Sequence, residues 1–145
     1  MAESTTENMA MNYERVEFES EGATLRGRLY RPANDTTDAP AIVMAHGFSV
    51  LAAWLDDFAT DFAQAGFAVL VFDHRNFGES DGTPRYGFDN LLQIRGYRDA
   101  ISFLEKQPGV DKQKIAVWGE SATSLVAQFI GVFDERVRAV IAHTP

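Results

Sequence analysis

Apolar positions along the chain follow two rhythms, one alternating or unbroken and one at helical spacing. Arg15-Val16-Glu17-Phe18-Glu19 alternates, Ser20-Glu21-Gly22 reads as a turn, and Thr24 to Tyr30 sets Leu25 and Leu29 on alternating positions. Two strands therefore open the chain. Pro32 to Pro40 is a polar loop with two prolines and two aspartates. The unbroken runs Ala41–Ala45, Ala68–Phe72, Ile115–Trp118 and Val137–Ala142 suit strands covered on both faces. Trp54 to Ala65 carries Leu55, Phe58, Ala59 and Phe62 at helical spacing, with Gly66 as a stop. Phe88 to Gln107 is a second helix, with Leu91, Ile94, Ile101 and Leu104 toward the core, ended by Pro108-Gly109. Ser121 to Phe133 is a third, and Asp73 to Gly87 is a Gly/Asp/Asn-rich loop.

Two strands followed by strand–helix alternation predict an α/β protein: a mainly parallel sheet with flanking helices and right-handed crossovers. Chemistry in such a sheet lies beyond the carboxyl ends of the strands. Residues 1–12 are expected to be a flexible tail and 13–145 one domain. A net charge of -8 argues against nucleic acid or an anionic membrane as partner, because both select a basic face. The absence of cysteine excludes disulfides and thiolate metal sites. No apolar run approaches the roughly 20 residues of a membrane span. Met1 to Ala10 also lacks the basic-then-apolar order of a signal peptide, so a soluble cytoplasmic protein is expected. With no phosphate loop, dinucleotide fingerprint or metal-ligand spacing, no cofactor and no metal are expected.

The chemistry concentrates at Ile115-Ala116-Val117-Trp118-Gly119-Glu120-Ser121-Ala122-Thr123-Ser124: a strand, then Gly-x-Ser, then a helix. A serine there sits on a sharp, strained turn with its hydroxyl above the sheet. Small residues two before and two after let the helix leave close to the strand. Gly119 is the first; Thr123 stands where glycine is usual. The helix N-terminus gathers free N–H groups, so an anionic tetrahedral intermediate at Ser121 meets the Ala122 N–H. The second oxyanion donor is expected from His46-Gly47-Phe48, just after the third strand, as the Phe48 N–H.

Three stretches in order carry a resemblance: His46-Gly47; Val71-Phe72-Asp73-His74-Arg75-Asn76-Phe77-Gly78-Glu79-Ser80-Asp81-Gly82; and Gly119-Glu120-Ser121. Together they resemble the α/β-hydrolase superfamily. The Asp73 segment is similar to its D-x-R-G-x-G-x-S loop, with Asn76 in a glycine's place. Val16-Glu17-Phe18, Leu29-Tyr30-Arg31-Pro32 and Pro108-Gly109-Val110-Asp111 are similar to the dienelactone-hydrolase-like branch, which includes esterases and fungal polyketide transferases of secondary metabolism. The resemblance implies the first six strands of an eight-stranded fold, in the order 1-2-4-3-5-6. It also implies Ser121 as catalytic nucleophile of a serine hydrolase or acyl/polyketide transferase, acting on a small-molecule ester, thioester or lactone.

The family's acid and histidine follow its seventh and eighth strands, and nothing here matches either. A serine without a base is a weak nucleophile, and in a serine protease losing the histidine costs about six orders of magnitude in turnover. Little or no hydrolysis is expected of these 145 residues; the alternative to an enzyme is a non-catalytic homologue or binding module. His143 is a candidate base only if the sixth strand lies beside the fifth, and is otherwise incidental. His46 and His74 read as ordinary loop residues, Asp73 and Asp81 as turn-holders, and Asp56, Asp57 and Asp61 as a solvated face at a helix start. Trp54 and Phe48 are candidates for a pocket, Trp54 equally for the core. Val137–Ala142 is expected to be an exposed apolar edge, open to self-association or to a completing chain.

Overall fold

The computed structural model describes residues 13–34 and 37–145. The expected tail, 1–12, lies outside the described residues. Six strands form one sheet: β1 (Tyr13–Ser20), β2 (Ala23–Tyr30), β3 (Ala39–Ala45), β4 (Ala68–Phe72), β5 (Val110–Glu120) and β6 (Val137–His143). Their order is β1-β2-β4-β3-β5-β6. β1, β2 and β4 pair antiparallel; β4, β3, β5 and β6 run parallel. The alternation that predicted a mainly parallel sheet with flanking helices is thus realised in the order the resemblance implied.

Three helices, α1 (Asp56–Gln64), α2 (Asn90–Leu104) and α3 (Ala122–Phe133), supply the crossovers. α2 and α3 cover one face, where Tyr97, Ala100, Ile101, Leu104, Val126, Ala127 and Ile130 pack on Leu29, Val43, Leu70, Phe72 and Val117. α1 covers the other, with Ala59 and Ala63 against Ile42, Met44, Val69, Val71 and Trp118. β3 and β4 are sandwiched, so every residue of β4 is buried, as an unbroken apolar run requires.

Several boundaries and contacts differ from the sequence reading. The strand β3 begins at Ala39 rather than Ala41, because Ala39 N–H is held by Gly109 O at 2.8 Å. The stretch from Trp54 splits into a 3-10 turn, Ala52–Leu55, and then α1. The second helix starts at Asn90, not Phe88, because Asp89 caps it, accepting from the N–H groups of Leu91 and Leu92. Leu91, assigned to the core, is exposed on that first turn; buried Tyr97 and Ala100 carry the contact instead. Asp56 is no part of a solvated face. It is buried at the start of α1, paired with Arg28 and accepting from the Tyr30 hydroxyl, while Asp57 and Asp61 stay exposed. Burial first, and then the Asp56 carboxylate, push the Tyr30 phenol up. Among the described residues no helix is long and apolar enough to cross a membrane.

Candidate active site at the corner between β5 and α3

Ser121 joins β5 to α3 with φ +48° and ψ −117°. Holding a residue other than glycine in such a sparsely populated region costs about 1–3 kcal/mol. Two close approaches shape the corner. A Cβ on Gly119 would collide with the Thr123 carbonyl oxygen, so the helix can leave the strand at this range only from a glycine. A Cβ on Gly47 would lie 2.8 Å from Glu120 O and 3.3 Å from the Ser121 Cβ, so the loop after β3 presses on the corner. Ser121 is exposed, and its side chain makes no capping hydrogen bond.

The two N–H groups expected as oxyanion donors belong to Ala122 and Phe48. Ala122 is the first residue of α3, so its N–H has no acceptor within the helix. Phe48 follows Gly47. Among the described residues neither N–H donates a hydrogen bond. The Phe48 ring is exposed and meets Phe88 edge-on at 5.9 Å. Trp54, assigned to core or pocket, is exposed as well. Beside Ala122 opens a groove of about 340 Å³, lined by Phe88, Ile94, Leu125, Val126 and Phe129 with one polar residue, Asn90.

The loops around the corner are tied down by buried polar groups. Asp73 accepts from the Ala52 N–H at 2.9 Å and from the Glu79 N–H at 3.0 Å, joining the loop after β3 to the loop after β4. The turn-holding role read for Asp73 therefore spans two loops, whereas the Asp81 side chain pairs with Arg26. Far from being ordinary loop residues, His46 and His74 are both buried. The His74 N–H donates to His46 Nε2 at 3.2 Å, which puts the His46 proton on Nδ1, donated to Gly47 O at 2.9 Å. His74 Nε2 in turn donates to His46 O at 3.2 Å. Burial pushes His46 down and His74 well below the ordinary histidine value, so both rings are neutral. Asn76, in a glycine's place, adopts φ +72°. Asparagine tolerates this left-handed conformation, and its Nδ2 donates to Gly87 O.

His143 does end the strand beside β5, but its imidazole stacks on Trp118 at 5.3 Å and tilts against Phe58 at 5.5 Å. What reaches the corner is its backbone: His143 O accepts from the Ser121 N–H at 2.9 Å. Thr123 and Ser124 also contribute hydroxyls that the sequence reading passed over. Thr123 Oγ1 accepts from the Glu120 N–H at 2.9 Å, and Ser124 Oγ lies 3.0 Å from Gly119 O and 2.9 Å from His143 O. The local signal was available, since threonine and serine in a first helical turn bond back to the preceding backbone.

A strand ending in a strained, exposed serine, with a helix leaving at once and the loop after β3 pressed against the turn, is an arrangement found in α/β-hydrolases. The family described as "Serine aminopeptidase, S33" matches residues 37–145. The chain belongs to this α/β-hydrolase family. Its relatives include the thiohydrolase aneE of Aspergillus aculeatus, 42% identical over 143 residues, which cover 97% of this chain and 44% of the relative. The polyketide transferase claH of Penicillium crustosum is 41% identical over 137 residues, covering 92% and 44%. Among solved structures, the α/β-hydrolase GrgF of a Penicillium species superposes with a TM-score of 0.82 at 35% identity, over 88% of this chain and 44% of that one. The chain thus spans less than half the length of these S33-family relatives.

Proposed function

We propose that Ser121 is the nucleophile of an acyl transfer from a thioester, ester or lactone to water or an alcohol. The single observation that carries this is the backbone of Ser121: its positive φ sets an exposed serine on the turn between β5 and α3, ahead of the unbonded Ala122 N–H and against the loop that carries Phe48. In the step proposed, a base takes the Oγ proton while Oγ bonds to the carbonyl carbon. The electron pair displaced onto the carbonyl oxygen is held by the Phe48 and Ala122 N–H groups. The pair returns as the thiolate or alkoxide leaves with a proton, and water or an alcohol then removes the acyl group by the same route. The fully engaged nitrogens of His46, the burial of His74 and the stacking of His143 favour a base supplied by polypeptide outside residues 13–145.

Two facts support an apolar acyl thioester in particular: relatives named thiohydrolase and polyketide transferase, and the apolar groove that opens at Ala122. The bonded nitrogens of His46, the burial of His74 and the stacking of the His143 ring also favour a second reading, a non-catalytic acyl-binding module. Treatment with a fluorophosphonate, followed by intact-mass measurement and peptide mapping, tests the first. One adduct on Ser121, absent in Ser121→Ala, is expected, with a rate that rises with pH or with added imidazole as an external base. No adduct under any of these conditions would leave the binding module.

A further inference from the structure

Thr123 occupies the position where this corner usually has glycine, and it is fully buried. Its hydroxyl grips both polar ends of one residue. Oγ1 accepts from the Glu120 N–H at 2.9 Å, and it lies 2.9 Å from Glu120 O against 3.4 Å from Ala45 O. The single hydroxyl proton therefore goes to Glu120 O, the shorter contact. That carbonyl belongs to the peptide plane joining Glu120 to Ser121. The other polar group of the same plane, the Ser121 N–H, donates to His143 O at 2.9 Å. Both polar groups of this plane are thus held, one by a side chain of α3 and one by the end of β6. The orientation of the plane about the N–Cα bond is what defines the φ of Ser121. A glycine at 123 leaves one of the two holds missing, and the next hydroxyl, Ser124, bonds Gly119 O and His143 O instead.

We propose that Thr123 is a positioning residue: its hydroxyl locks the Glu120–Ser121 peptide plane and so aims both the Ser121 hydroxyl and the Ala122 N–H. The positioning serves the acyl transfer proposed above, but the lock itself exists without any reaction. Thr123→Val keeps the branched shape and removes the hydroxyl; Thr123→Ser keeps the hydroxyl; Thr123→Gly restores the usual motif residue and is the second hydroxyl-free variant should valine fail to fold. The first measurement is the backbone chemical shifts of Ser121, Ala122 and Gly47 in the 145-residue chain, with urea unfolding to show that each variant is folded. The hydroxyl-free variants are expected to move those three residues while the strand amides of β3 and β4 keep their shifts, and Thr123→Ser is expected to match the wild type. The second is the rate of fluorophosphonate addition at Ser121, expected to fall about ten- to a hundredfold without the hydroxyl and to be rescued by serine. Unmoved shifts in a folded hydroxyl-free variant overturn the proposal, as does a serine variant as perturbed as valine, which would assign the effect to the methyl group. A wild type that never reacts counts against Ser121 as nucleophile, while the shifts still decide the lock.

Discussion

Acid should destabilise this fold well before its carboxylates titrate, because two imidazoles are sealed beneath the loops around the Ser121 turn. His46 and His74 are 1% exposed, and burial lowers the affinity of both for a proton. Gly47 O, Asp73 and Glu120 oppose the shift at His46 without reversing it, and the His46 ring disfavours a charge on His74. In the unfolded chain both titrate near 6.5. As pH falls through that value the unfolded state takes up protons that the folded state refuses, so stability is lost on the acid side and is flat above it. His74, held well below its ordinary value, contributes a slope of about 1.4 kcal/mol per pH unit once the unfolded ring is fully protonated, and His46 adds to the loss in the same direction. The loss ends only below the folded-state values. Urea unfolding at a series of pH values measures the slope, and His74→Gln should remove the larger part of it. Stability that stays level from neutral pH to pH about 5 would refute the buried, neutral assignment of both rings.

Two other substitutions probe the frame. Asp56→Ala strands the Arg28 guanidinium, which is 18% exposed, and removes the acceptor of the Tyr30 hydroxyl; a loss of about 3 kcal/mol in urea unfolding is expected, and a loss below about 1 would show the pair to be dispensable. Val140→Lys places a charge on the outermost strand, where Val140 is 37% exposed. If the chain associates through that edge, the lysine variant scatters less light at equal concentration, and unchanged scattering would move the association elsewhere.

The strands and helices were legible because unbroken apolar runs and helical spacing mark them one by one, whereas their order in the sheet came only from the resemblance to α/β-hydrolases. The corner at Ser121 was legible because Gly119 and the strand before it constrain the geometry in sequence-local terms. Other features were not, for a common reason: they are long-range. Nothing near Asp56 in sequence announces Arg28 and Tyr30, which reach it from a different element. His46 and His74 follow strands in the pattern of loop residues, yet their backbones and rings bond one another across 28 residues. Thr123 looked like a defect in a glycine pattern until the direction of its hydroxyl was known. The exposure of Leu91 and Trp54 likewise depends on where a helix begins, which a capping aspartate at 89 and a 3-10 turn at 52–55 decide.

The bond from the Ser121 amide to the last carbonyl of β6 makes the outermost strand a gauge for the Ser121 corner. β6 must pair with β5 in one alignment, Glu120 opposite His143, for an acceptor to stand at that spot. A slip of two residues along the strand would carry the carbonyl roughly 7 Å away and release the Ser121 N–H to solvent. Protection of that one amide against hydrogen exchange therefore reads out whether this border of the sheet has closed in register.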